Sequence, residues 1–341
     1  MSKRVLVTGG AGYIGSHTTV ELINAGYDVV IVDNFSNSDP SSLEGIRQIT
    51  GIAPDFVEAD CCDREALEQV FRDYDFQAVI HFAAYKAVGE SVAEPMKYYR
   101  NNMVSLLNIL DLMKQYERRN IVFSSSATVY GDTDVLPVTE LTPRKPATSP
   151  YGNTKQMAED ILRDMTLSCD KLNGIALRYF NPIGAHPSAL IGELPRGVPN
   201  NLVPYITQTA AGVRECLSIF GDDYSTPDGS CLRDFIDIVD LAKAHVVAIG
   251  RMLEGKNKAR YEVFNVGTGR PVSVFELVNG FEAANELKLN YKVAPRRDGD
   301  VPAVWADTKL ANEELGWRAE RELNDTLKSA WEWEKHLRGI K

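Results

Sequence analysis

A β-branched run, residues 4–8 (RVLVT), passes directly into Gly9-Gly10-Ala11-Gly12-Tyr13-Ile14-Gly15 and then into a helical pattern. Gly10, Gly12 and Gly15 fit G-x-G-x-x-G, and Gly9, Gly12 and Gly15 fit G-x-x-G-x-x-G. Glycine is needed where a turn is tight and a pyrophosphate must touch bare backbone. The helix that follows offers unpaired N–H groups and a positive end to the phosphates. A second run, 28–33, ends in Asp33, 18 residues past Gly15. A carboxylate there accepts hydrogen bonds from ribose hydroxyls and repels a 2′-phosphate. No Arg or Lys lies between Asp33 and Ser42. The unit predicts a dinucleotide site, with NAD favoured over NADP.

Alternation then extends the fold. Apolar runs at 4–8, 28–33, 55–59, 77–83, 120–125 and 173–179 are separated by helical patterns near 14–25, 64–73, 95–117 and 151–168. Nearly continuous apolar strands are those buried on both faces of a parallel sheet. The expected class is α/β, a Rossmann-type doubly wound sheet with a smaller α/β substrate domain. Residues 1–180 read as the NAD-binding domain, with segments returning from about 235–267, and 181–341 as the second domain. Segment 181–234 reads as long loops around one helix near 200–212. Helices near 239–253, 273–287 and 325–337 and a strand at 261–266 follow.

Composition narrows the partners. The 341 residues carry a net charge of −10 and no basic run, a poor match to nucleic acid or an anionic membrane. Five cysteines without a C-x-x-C predict neither a disulfide framework nor a metal site. With no apolar leader or spanning stretch, the expected location is the cytoplasm.

Tyr151 and Lys155 lie one helical turn apart just after Pro150. A neighbouring ammonium favours the phenolate, which makes the Tyr a general base for an alcohol proton. On spacing alone a surface pair is the better reading. Their place one element beyond a strand ending in Ser124-Ser125-Ser126 reverses it, because Ser126 can share the same alcohol. Tyr, Lys, Ser and NAD together make an alcohol–ketone hydride centre. At the ends of the third and fourth strands, Asp60 and Phe82 read equally as cofactor contacts or as a strand cap and a core residue.

The chain resembles the extended short-chain dehydrogenase/reductase superfamily, and within it the 4-epimerases of UDP-hexoses. Nine segments carry the resemblance in order: VTGGAGYIGSH (7–17), HFAAYKAVGES (81–91), SSSATVYG (124–131), SPYGNTK (149–155), LRYFNPIGAHP (177–187), PNNLVPYI (199–206), IFGDDYSTPDGSCLRDFI (219–236), VFNVGTG (263–269) and RRDGDVPAVWAD (296–307). The resemblance implies reversible epimerisation at C4′ of UDP-glucose and UDP-galactose through a 4-keto sugar, with tightly bound NAD. It implies that Tyr151 is the base, that Lys155 bridges to the nicotinamide ribose, and that Ser126 binds the 4′-oxygen. It places Gly9, Gly12, Tyr13, Ile14, Gly15, Asp33, Asn34, Asn37, Asp60, Phe82, Ala83, Lys86, Asn101, Ser124, Tyr179 and Phe180 around NAD. Lys86, Asn181, Asn201, Ser218, Phe220, Arg233, Arg297, Asp300 and Val304 fall at nucleotide-sugar positions. Phe220 suits uracil stacking, and the two arginines suit a diphosphate through planar forks. A homodimer through the helices near 95–117 and 151–168 is also implied; Met103, Leu106, Leu107 and Leu110 form an apolar stripe there, as a core face would.

Val304 departs from the pattern. Relatives selective for plain hexoses carry Tyr at this place and those accepting N-acetylhexosamines a smaller residue, so UDP-N-acetylglucosamine and UDP-N-acetylgalactosamine become expected substrates. Cys231 and Ser218 are smaller variations. A 4,6-dehydratase needs an Asp-Glu pair after the strand-end hydroxyl, and Ala127-Thr128 stands here. An NAD sensor would have no use for Tyr151 and Lys155, and a general ketone reductase none for a uridine site. The acidic balance is compatible with two small diphosphates, each held by a few placed groups, because distant surface charge is screened over about 8 Å.

Overall fold

Strand residues in a doubly wound sheet alternate between two buried faces, which accounts for the continuous apolar runs. In a computed structural model describing residues 3–297 and 300–341, β1 (Arg4–Thr8) sends Val5 and Val7 to one core and Leu6 to the other. Then come α1 (Tyr13–Asn24), β2 (Asp28–Asp33), α2 (Ser41–Thr50), β3 (Asp55–Glu58), α3 (Arg64–Asp73) and β4 (Ala78–His81). They are followed by α4 (Val88–Ala93), α5 (Pro95–Gln115), β5 (Asn120–Ser126), α6 (Pro150–Ser168) and β6 (Asn173–Tyr179). β2 repeats the alternation, with Val29 and Ile31 facing one core and Val30 and Val32 the other.

The remaining elements are β7 (Asn181–Ile183), α7 (Leu202–Ala210), β8 (Leu217–Phe220), β9 (Leu232–Asp237), α8 (Ile238–Leu253), β10 (Tyr261–Val266), β11 (Pro271–Ser273), α9 (Val274–Asn285), β12 (Tyr291–Ala294), β13 (Ala303–Val304) and α10 (Leu323–Arg338). The main sheet has seven parallel strands in the order β10-β6-β5-β4-β1-β2-β3. Strand order reverses between β1 and β4, and ligands of open α/β sheets sit at such a reversal. α8 packs its apolar face into the core beside α1, and β10 extends the sheet beyond β6.

Segment 181–234 is more structured than expected. β9 pairs with β7, β11 and β13, and β8 pairs with β12. These strands are short and their partners distant, so no local period marks them. They cover a third core of Ile183, Ile206, Leu217, Ile219, Phe235, Leu277 and Phe281. The third and fourth strands end earlier than the sequence implied, so Asp60 lies two residues beyond β3 and Phe82 one beyond β4. On α5, Met103, Leu106 and Leu110 are buried in the core and only Leu107 of that stripe is exposed.

Candidate active site

At the end of β1, Gly9 takes φ +71, and a methyl on it would meet Ala83 N at 2.9 Å. A methyl at Gly15 would lie 2.2 Å from the Gly9 carbonyl oxygen. No side chain caps α1 at Gly12, so its first N–H groups are available. This is a cradle that side chains would fill, and it fits a dinucleotide pyrophosphate. Tyr13 closes one side by donating to Gly184 O at 2.6 Å.

Asp33 ends β2 buried. Its Oδ2 accepts from Ala11 N (3.0 Å), and its Oδ1 accepts from Phe35 N (2.9 Å) and Ser38 Oγ (2.7 Å). The carboxylate therefore holds the loop after β2. Asn34 accepts from Ser36 N, and Asn37 is exposed at the loop tip. The sequence missed Arg196. It arrives from 160 residues away and donates to Ser36 O (3.2 Å) and Ser38 O (2.7 Å). A search for basic residues near Asp33 in sequence does not find it, because its partners are backbone carbonyls. Asp60 binds Cys62 N, and Asn101 receives the Cys62 thiol at its backbone oxygen. Phe82 packs on the His245 ring at 4.7 Å, so this residue serves the core as well as bordering the cleft.

α6 is set by Ser149, whose Oγ accepts from Gly152 N at 3.1 Å, and by Pro150 in its first turn. That start puts Tyr151, Lys155 and Glu159 on successive turns of one face, towards β5. Lys155 Nζ donates to Ser124 O at 2.6 Å and lies 5.8 Å from the Tyr151 ring centroid. Glu159 takes a two-pronged bond from Arg178 (2.9 and 2.6 Å) and one from Ser125 Oγ (2.5 Å). Ser124 Oγ pairs with the Tyr179 hydroxyl, and Ser126 Oγ accepts from Thr128 N at 3.2 Å. Tyr179 and Phe180 are buried beside them.

The chain's own groups do not lower the Tyr151 phenol. Burial pushes the Tyr151 phenol up to about 12, and the Ser126 hydroxyl pulls the other way without overcoming it. Burial also lowers the Lys155 ammonium to about 7, while the Glu159 charge acts to raise it. A buried lysine holds its charge weakly, so it does not depress the phenol as its spacing implied.

Across the cleft, Lys86 pairs with Glu193 at 3.1 Å, and Asn201 Nδ2 donates to the same Glu193 oxygen at 2.6 Å. Glu193 had no sequence signal. Phe220 is exposed at the end of β8, with the Arg297 guanidinium 5.6 Å from its ring centroid. Asp300 ties Arg297 (2.9 Å) to Arg233 (3.7 Å), which unites three expected substrate positions. Two positions of that motif, Asp298 and Gly299, lie outside the described residues. Val304 pairs in register with Arg233 and packs on the cluster of Val129, Tyr130, Val138, Phe180 and Ala306. Asn181 is exposed at the start of β7, and Ser218 is half-buried on β8. Among the described residues no group of three or more His, Cys, Asp or Glu side chains could hold a metal.

A family model described as GDP-mannose 4,6 dehydratase matches residues 6–330. The UDP-glucose 4-epimerase of Mus musculus is 48% identical over 339 residues, covering 98% of this chain and 97% of that one. The chain belongs to the UDP-glucose 4-epimerase family. The crystal structure of the Bifidobacterium longum UDP-glucose 4-epimerase in complex with NAD+ and UDP matches at TM-score 0.95 and 46% identity, covering 99% of this chain and 100% of that one. A UDP-Glc/GlcNAc 4-epimerase from Campylobacter jejuni matches at TM-score 0.84 and 34% identity, covering 98% and 99%. The dehydratase description is shared at the level of the fold; in this epimerase-family chain, Ala127 and Thr128 follow Ser126 and supply no acid–base pair.

Proposed function

We propose that the chain interconverts UDP-glucose and UDP-galactose at C4′ and also acts on their N-acetylated counterparts, with NAD as resident cofactor. The stacking of Tyr151, Lys155 and Glu159 against β5, beside a cradle that only glycines permit, is the observation that carries this reading. When bound, the dinucleotide supplies hydride acceptance and return. Gly9, Gly12 and Gly15 give its pyrophosphate bare backbone, Asp33 faces its adenosine ribose, and Lys155, fixed by Ser124 O, faces its nicotinamide ribose. Tyr151 takes the 4′-hydroxyl proton as a phenolate, which the positive charge of a bound oxidised nicotinamide would favour against the effect of burial, then gives it back, and Ser126 holds the same oxygen. The sugar carbon becomes planar and loses its configuration, so a hexose that can present either face leaves as either epimer. Arg233 and Arg297 grip the diphosphate and Phe220 stacks on uracil, which leaves the hexose free to turn. Exposed Leu107 on α5 and Met157 and Leu167 on α6 support a homodimer through those helices.

Val304 sets the reach into the sugar end. It stands beside Arg233 and against Phe180, so its short side chain leaves room where a tyrosine would extend. The Campylobacter jejuni relative, described as acting on both sugar classes, supports this breadth. Purified protein is expected to convert both UDP-galactose and UDP-N-acetylgalactosamine to their 4′-epimers. Inertness towards the first would overturn the epimerase reading, and towards the second alone the reading of Val304. Val304→Tyr is expected to lower kcat/KM for the acetylated sugar about tenfold or more, with a much smaller change for UDP-galactose.

A further inference from the structure

Residues 193–201 lead into α7 as an irregular strap. Before Arg196 the strap is tied by Trp333 Nε1, which donates to Glu193 O at 3.0 Å, and by the Lys86–Glu193 pair. After it, Arg214 Nη2 reaches Gly197 O at 3.3 Å. Between these ties Arg196 crosses to the loop after β2 and takes the carbonyls of Ser36 and Ser38, one on each side of Asn37.

That loop needs holding. Phe35 sits at φ +52, a left-handed conformation that a bulky residue adopts only under restraint. Its ring leans on Phe56 at 5.1 Å, and Asp33 binds Phe35 N and Ser38 Oγ. These two restraints come from the sheet that carries the loop. The Arg196 fork is the restraint that comes from the other side of the cleft. Asp33, Asn34 and Asn37 border the adenosine end of the cofactor site, so a dinucleotide leaving from that end must displace this loop.

We propose that Arg196 is a clasp that sets how long NAD stays bound, acting as a positioning residue through the loop at Asp33–Ser38. The proposal rests on the reading that NAD occupies the β1–α1 cradle. The fork spans two carbonyls, so a glutamine loses both bonds at full length and a lysine keeps one.

The test follows NAD release from purified holoprotein after dilution into NAD-free buffer containing an NAD-hydrolysing enzyme, for the parent, Arg196→Gln and Arg196→Lys. Loss of a charge-assisted fork is expected to speed release by about tenfold in Arg196→Gln, with Arg196→Lys in between. The KM for UDP-galactose should stay within about twofold, because the diphosphate grips at Arg233 and Arg297 are untouched, and excess NAD should restore turnover. Equal release rates in parent and Arg196→Gln would overturn the clasp while leaving the cofactor reading intact. A parent protein that carries no NAD would overturn both.

Discussion

Tyr151→Phe is expected to lower kcat by about 10³-fold while the protein keeps its NAD and its fold, since general acid–base groups contribute about 10²–10⁴. The substitution removes one oxygen from a nearly buried ring and leaves its volume in place. Lys155 is anchored to Ser124 O and Glu159 to Arg178, so neither depends on the lost hydroxyl. The KM for UDP-galactose should barely move, because the uridine and diphosphate contacts proposed above lie on β8, β9 and the segment around Arg297. Steady-state kinetics beside a measurement of bound NAD checks this. Retained turnover would remove Tyr151 from the chemistry, and loss of NAD would make it a binding residue.

Lys155→Met is expected to abolish most activity and yet stabilise the protein, more so at low pH. Lys155 is nearly buried and its ammonium has fallen to about 7. Between that value and its usual one near 10.5, the unfolded chain binds a proton that the folded chain releases. The cost of burying the charge is therefore full below pH 7 and fades as pH rises towards 10.5. Methionine removes this cost but leaves Ser124 O without its partner, a loss of about 1–3 kcal/mol. The net gain should be about 1–3 kcal/mol near pH 6 and close to zero near pH 9. Urea unfolding at the two values checks the sign. A variant less stable than the parent at pH 6 would mean that Lys155 stabilises the fold through its bond to Ser124.

What the sequence disclosed depended on how local each signal was. The cradle and the β2 end at Asp33 are written within single turns or short runs, so spacing pointed to them, whereas the α6 face needed its place after Ser124-Ser125-Ser126 as well. Phe220 and Arg233 were placed by motif, and the structure adds that Asp300 links Arg233 to Arg297. β7, β11 and β13 are two or three residues long and gain strand identity only from pairing with β9, so periodicity could not find them. Glu193 and Arg196 were illegible because one answers a lysine 107 residues away and the other binds carbonyls that every residue possesses. That Lys155 by itself does not lower the Tyr151 phenol was illegible for a related reason. Spacing reports which groups are near, whereas burial, which decides the sign here, depends on everything packed around them.

In the proposed reaction, hydrogen leaves and returns to the same sugar carbon inside this cleft without passing through water. UDP-galactose carrying deuterium at C4′ is incubated with the purified protein in ordinary water, and the UDP-glucose formed is analysed by mass and NMR. The product is expected to keep its deuterium at C4′. Solvent hydrogen at that carbon would rule out direct return of the hydride.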